Sequence, residues 1–169
     1  MATTDNNKII NNMPPSLNEQ RLIWIDCEMT GLDPIKDKLV EIACIVTEGD
    51  LKIVAEFGPF AIKQPTNILE GMNDFLMEFL LLHTPPKTCQ LAGNSVHYDL
   101  QFLKRYMPKF VEHLHYRIID VSTIKELVKR WYSDSEKLSC LEKALTSPSN
   151  PQLQKAINVR HALPASRVF

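Results

Sequence analysis

The run Leu22-Ile23-Trp24-Ile25 ends in two acidic residues one apart, Asp26 and Glu28, and the chain then breaks at Gly31. Read as a strand, this segment points residues two apart toward the same face. Asp26 and Glu28 then stand side by side at the end of a buried strand, where an uncompensated charge is costly. A bound cation relieves that cost, and adjacent carboxylates suit a hard one such as Mg²⁺ or Mn²⁺. The tripeptide alone is equally an ordinary acidic pair. The apolar run behind it and the acids further along the chain favour a cation site.

The pattern after this strand predicts a mixed α/β sheet. Residues 38–47 (KLVEIACIVT) are β-branched and apolar, and a second such run over 51–62 follows the turn Glu48-Gly49-Asp50, so the two read as a hairpin. Three antiparallel strands therefore open the domain. Leu69, Met72, Leu76, Phe79 and Leu80 recur at helical spacing and predict a helix over 67–83, ended by Pro85-Pro86. Next come a short strand over 88–92, a helix over 97–106 that stops before Pro108, and a strand over 116–121. Thr123 with Glu126 matches a capping box for a helix over 124–131. Alternation of strand and helix in this half implies parallel pairing, with helices flanking the sheet. Residues 136–145 suggest a short helix. Beyond Ser147-Pro148-Ser149-Asn150-Pro151, residues 152–169 suggest at most one degenerate final helix with a loose end.

Composition narrows the function class. The formal net charge is −1, so no overall basic field draws the protein to long nucleic acid, and long-duplex binding is disfavoured. A short, locally recognised substrate remains compatible. Cys27, Cys44, Cys89 and Cys140 are scattered without metal-binding or Cys-x-x-Cys spacing, which fits reduced thiols in a reducing compartment. No apolar stretch approaches the roughly 20 residues that cross a bilayer. Residues 1–20 carry no arginine and no apolar signal core, so they read as a disordered polar leader and the protein as cytoplasmic, with a weak mitochondrial signal left open as the alternative.

Two later segments add carboxylates. Asp99 lies in GNSVHYD, just inside a helix after a Gly-Asn-Ser turn, where it can face the crevice beyond the strand ends. A first-turn aspartate is also a common dipole-friendly surface charge. Asp120, in IIDVST, sits where a capping residue is expected. With these segments in view the chain resembles the oligoribonuclease family. IWIDCEMTGLDP, EIACIVT, LAGNSVHYD and YMPKFVEHLHYRIIDVSTIKELVKRWY carry the likeness, over roughly residues 21–64 and 88–132. The resemblance implies a ribonuclease-H-like fold, an exonuclease domain over 21–132 and a divergent tail over 133–169. It also implies Mg²⁺- or Mn²⁺-dependent hydrolysis of short single-stranded RNA, diribonucleotides included, from the 3′ end to 5′-mononucleotides.

By the same resemblance, Asp26, Glu28 and Asp99 correspond to three metal ligands, and Leu32 to a leucine wedged against a base. Ser95, Arg117 and Ser122 correspond to a grip on the terminal 5′-phosphate, and Tyr116 to an aromatic that reaches the neighbouring protomer of a homodimer. Arg pairs bidentately with phosphate and hydroxyls orient it, so the grip is chemically coherent. Ordinary readings stand beside each: Leu32 as loop packing, Arg117 with Asp120 as a surface pair, Ser122 as a helix cap.

Two stretches depart from the family pattern. Residues 64–88 are shorter than the pattern, and His83 reads as a helix end rather than a phosphate contact. The family's His-x-Ala-Leu-Asp-Asp run, with its general-base histidine and fourth acid, is echoed only by Arg160-His161-Ala162-Leu163-Pro164-Ala165. His161 is the candidate base; no aspartate follows it, and Pro164 breaks a helix there. Loss of a positioned base typically costs about 10²–10⁴-fold, so impaired turnover is expected. The rival expectations are an inactive relative that binds short RNA or pairs with an intact protomer, and a metal-dependent phosphatase of another α/β fold.

Overall fold

A computed structural model describes residues 20–62, 66–132 and 167–168. Strand β1 (Leu22–Met29) lies at the middle of a sheet whose order is β5-β4-β1-β2-β3-β6, with β2 (Leu39–Thr47), β3 (Ile53–Ala61), β4 (Gln90–Gly93), β5 (Ile118–Asp120) and β6 (Arg167–Val168). As the sequence predicts, β1, β2 and β3 pair antiparallel, and β4 and β5 join parallel on the other side of β1. Together with the flanking helices this is the mixed sheet of the ribonuclease-H-like fold. The helices are α1 (Thr66–His83), α2 (His97–Tyr106), α3 (Pro108–His113) and α4 (Val121–Trp131). Among the described residues no helix is long and apolar enough to cross a membrane.

The period-2 alternation of β1 gives the sheet two different faces. Ile23, Ile25 and Cys27 join the larger core, which also takes Met72, Leu76 and Leu80 from α1, Leu103 from α2 and Phe110 from α3. Trp24 points the other way, into a smaller core with Ala43, Ile45, Ala92 and Val121. Its indole N–H donates to Thr47 Oγ1 at 3.0 Å, which satisfies the one polar atom that this side chain buries. Asp26 and Glu28 follow Trp24 on this second face, at the carboxyl end of the strand.

Register sets where the crevice opens. The β1–β4 ladder runs Leu22↔Gln90, Ile23↔Leu91 and Trp24↔Ala92, and β1 continues beyond it. At that point Gly93 passes so close to β1 that a Cβ on it would lie 2.8 Å from the Ile25 carbonyl oxygen. Only glycine permits this approach, which brings the loop before α2 up to the end of β1.

Several boundaries differ from expectation, each for a local reason. Pro108 ends α2 as predicted but also opens α3, because proline is pre-set for a first helical turn, where its missing N–H costs nothing. Of the caps the sequence offers for α4, Asp120 is used and Thr123 is not: the Asp120 side chain accepts from the Ser122 N–H, so the helix starts at Val121 instead of Ile124. Strand β5 begins at Ile118, leaving Tyr116 and Arg117 in the preceding turn. Within the expected final helix, Arg167 and Val168 instead pair parallel with Phe60 and Ala61 as an edge strand. Cys27, Cys44 and Cys89 are buried free thiols, as expected. The leader through residue 19, the helix expected over 136–145, Cys140 and His161 lie outside the described residues.

Candidate active site

The end of β1 and the start of α2 bring three predicted acids to one place. Asp26 and Glu28 are half-buried on one face of the strand. Asp99, in the first turn of α2, is only 7% exposed, and its Oδ1 accepts the Cys27 N–H at 2.8 Å. That N–H lies between the two strand acids, on the side where β4 has already ended. Burial pushes the Asp99 carboxyl up to about 6, and the nearby Asp26 charge adds to the rise, against the Cys27 N–H bond that lowers it. The Cys27 thiol is pushed far up, first by burial and then by the charges of Asp99 and Asp26, so it stays protonated and offers no thiolate ligand.

The oxygen donors here are of the kind hard divalent cations take. In number they fall short of a closed set: among the described residues no three His, Cys, Asp or Glu side chains converge on a point that could hold a metal ion. Asp99 Oδ1 is taken up by the Cys27 N–H of the β1 backbone. The donor set therefore fits such an ion in kind without being closed around one.

Leu32 stands beside this site on a tightly bonded loop. Thr30 N–H donates to the Lys38 carbonyl at 3.0 Å, Thr30 Oγ1 donates to Asp37 Oδ1 at 3.1 Å, and Asp33 N–H donates to Asp37 Oδ2 at 2.9 Å. From α2, Tyr106 donates its hydroxyl to the Asp37 carbonyl at 3.0 Å, and Arg105 donates to the carbonyls of Pro34 and Ile35. Leu32 itself remains 64% exposed. An exposed leucine on a fixed loop is a ready contact for a flat apolar surface such as a base.

Of the predicted phosphate grip, the structure joins Ser95 and Ser122 through Asp120. Asp120 Oδ1 accepts the Ser95 N–H at 2.9 Å, the Ser122 N–H at 2.9 Å and the Ser122 hydroxyl at 2.6 Å. Burial pushes the Asp120 carboxyl up, but the bonds from Ser122, His97 and Ser95 together outweigh it and hold the group below the usual carboxylate range. Arg117 is not part of this knot: its guanidinium lies over the Tyr116 ring, 5.2 Å from the centroid, and both side chains are exposed. The ordinary alternative for Arg117, a surface pair with Asp120, gives way to this contact with Tyr116.

Sequence reasoning passed over His97. Its Nδ1 lies 2.9 Å from Asp120 Oδ2, and its ring meets that of Tyr98 in a tilted contact, with centroids 4.4 Å apart. With Ile118, Ile119, Asp120, Thr123 and Ile124 it lines a cleft of about 570 Å³. The signal was its place between Ser95 and Asp99 in one short loop-helix junction.

Comparison with known proteins places this geometry. A family model described as Exonuclease matches residues 23–80 and 63–143. The mitochondrial oligoribonuclease of Homo sapiens is 46% identical over 68% of this chain and 60% of its own length. The probable oligoribonuclease of Dictyostelium discoideum is 40% identical over 78% of this chain and 85% of its own, and the oligoribonuclease of Chromobacterium violaceum is 38% identical over 69% and 79%. The chain thus spans about 60% of the length of the mammalian relatives. Among solved structures, exonuclease I from Methylocaldum szegediense matches at 18% identity with a TM-score of 0.48, over 86% of this chain and 37% of that one. On the family match and these identities, the chain belongs to the oligoribonuclease family of exonucleases.

Proposed function

We propose that this protein is a 3′-to-5′ exoribonuclease that degrades short single-stranded oligoribonucleotides, diribonucleotides included, to 5′-mononucleotides. The observation that carries the reading is the bond from the Cys27 N–H to Asp99 Oδ1, which draws Asp99 to the end of the strand that bears Asp26 and Glu28, more than seventy residues earlier in the chain. Three carboxylates at the reacting position repel a polyanionic substrate unless a counter-charge is present. Asp26, Glu28 and Asp99 are assigned to hold Mg²⁺ or Mn²⁺, which when bound neutralises this charge and polarises the scissile phosphodiester and a water.

The chain's own groups do the rest. Leu32 packs against a base and, with its tied loop, fixes the angle at which the 3′ nucleotide enters. Ser95, Ser122 and Arg117 take the 5′-phosphate of a diribonucleotide, so that the shortest substrate is held at both ends. Fixed binding of both ends converts remote contacts into correct placement of the bond to be cut. Tyr116, which is 80% exposed, is assigned to the neighbouring protomer's site in a homodimer, and the protein is assigned to the cytoplasm. His161 is assigned as the base that takes the proton of the attacking water. Because Pro164 and Ala165 follow Ala162-Leu163 where the family pattern has aspartates, turnover is proposed to be slow. The same substitution favours the alternative of a relative that binds short RNA without cutting it.

The test is incubation with a 5′-phosphorylated diribonucleotide in Mn²⁺ or in chelator, beside an Asp26→Ala control. Release of mononucleotides that needs both Mn²⁺ and Asp26 supports the enzyme. Binding of the dinucleotide with no such release points to the non-cutting relative.

A further inference from the structure

One carboxylate holds together the residues assigned to the phosphate grip, and it lies outside that assignment. Asp120 Oδ1 collects three donors: the Ser95 N–H, the Ser122 N–H and the Ser122 hydroxyl. Ser95 sits at φ +57°, in the left-handed region that a side chain enters at a cost. Its N–H bond to Asp120 ties it to the carboxyl end of β5. Asp120 is itself fixed from two directions, by register opposite Gly93 in the sheet and by His97 Nδ1 at 2.9 Å on Oδ2. The group therefore cannot drift without carrying both serines with it.

We infer that Asp120 is the positioning residue of the 5′-phosphate grip, setting the backbone of Ser95 and the first turn of α4 so that the two serines face one phosphate. This rests on the proposed phosphate grip. An arriving phosphate competes with Asp120 for the Ser122 hydroxyl, one charged oxygen acceptor for another. The N–H bonds of Ser95 and Ser122 meanwhile keep the two residues at a fixed separation. The role is geometric, and it requires an acceptor that reaches both N–H groups at once.

Two substitutions separate reach from helix capping. Asp120→Asn keeps an oxygen at the same distance and caps a helix as well as aspartate does. Asp120→Ser also caps a helix, but its side chain is one atom shorter and cannot span to Ser95. Dissociation constants are measured in chelator for a 5′-phosphorylated and a 5′-hydroxyl diribonucleotide, with thermal melts alongside. Wild type and Asp120→Asn are expected to favour the phosphorylated ligand by about tenfold. Asp120→Ser is expected to lose that preference while its affinity for the 5′-hydroxyl ligand stays within about twofold of wild type. Asp120→Thr, with the same cap and the same shortfall in reach, replaces it if the serine variant does not fold. Retention of the preference in Asp120→Ser overturns the assignment, as does its loss in Asp120→Asn or equal weakening of both ligands. A wild type that shows no preference defeats the phosphate grip itself, and the inference with it.

Discussion

Asp99→Asn is predicted to stabilise the metal-free protein while removing a group the proposed reaction needs. Burial raises the Asp99 carboxyl from its ordinary 3.8 to about 6. A folded-state value above the unfolded one means that the folded chain holds the proton more tightly. The group's contribution to stability is therefore full below about pH 4 and is lost as pH rises through 6. At about 1.4 kcal/mol per pH unit, the loss amounts to about 3 kcal/mol at pH 7. The amide in the variant carries no charge and keeps an oxygen to accept the Cys27 N–H, so it escapes that loss. Denaturant melts of both proteins in chelator from pH 4 to 8 measure the difference. The curves should coincide near pH 4 and separate by up to about 3 kcal/mol above pH 6.5, roughly 6–12 °C in Tm at this chain length. Added Mn²⁺ should then raise the stability of wild type, by mass action on the folded state, and leave the variant unchanged. Parallel curves across the whole range, or a variant less stable than wild type at pH 7, would refute the claim that buried charge is held at this position.

Three further substitutions test the supporting structure. Gly31→Ala places a Cβ 2.4 Å from Asp37 Oδ2, so Asp37 must swing off the Asp33 N–H; a loss of about 1–2 kcal/mol in melts and a raised KM for dinucleotide are expected, and an unchanged KM would separate the loop from substrate binding. Thr47→Val leaves the buried Trp24 indole N–H without its acceptor and should cost about 1–3 kcal/mol by urea denaturation, with no change in KM. His113 is buried against Thr84, whose hydroxyl donates to the Leu80 carbonyl at 2.9 Å and so accepts from His113 Nε2–H at 2.8 Å. Desolvation lowers its pKa, so its stabilising contribution is present above about pH 6.5 and is lost as pH falls below that; the stability of wild type relative to His113→Leu should fall over that range, opposite in sign to the Asp99 effect.

What the sequence revealed follows from how local each signal is. The alternation in LIWIDCEM named β1, its buried face and both acids, because the period of a strand is written into adjacent residues. The bounds of α2 fell at His97 and Tyr106 because a Gly-Asn-Ser turn and Pro108 bracket it, although the same proline also started α3 unannounced. At α4 the sequence offered both Asp120 and the capping-box residue Thr123, and pairing of Asp120 with Gly93 across the sheet settles the cap on the earlier of the two. That pairing joins residues 27 apart, and no local pattern carries it. The His97–Asp120 contact and the pairing of Arg167 with Phe60 escaped notice for the same reason. Of the site, the acids and serines were legible through their residue types. The Asp120 knot that joins the serines, the stacking of Arg117 on Tyr116 and the bonding that braces Leu32 required the fold.

The central claim is that the acids at the end of β1 serve removal of nucleotides from a 3′ end. A pentaribonucleotide labelled at its 5′-phosphate, incubated with the protein and Mn²⁺ and sampled over time on a denaturing gel, tests it most directly. The account predicts that labelled tetramer, trimer and dimer appear in turn, with labelled mononucleotide last, and that the ladder is absent in chelator and in Asp26→Ala. Labelled mononucleotide as the first product, or a ladder that persists without Asp26, would contradict it.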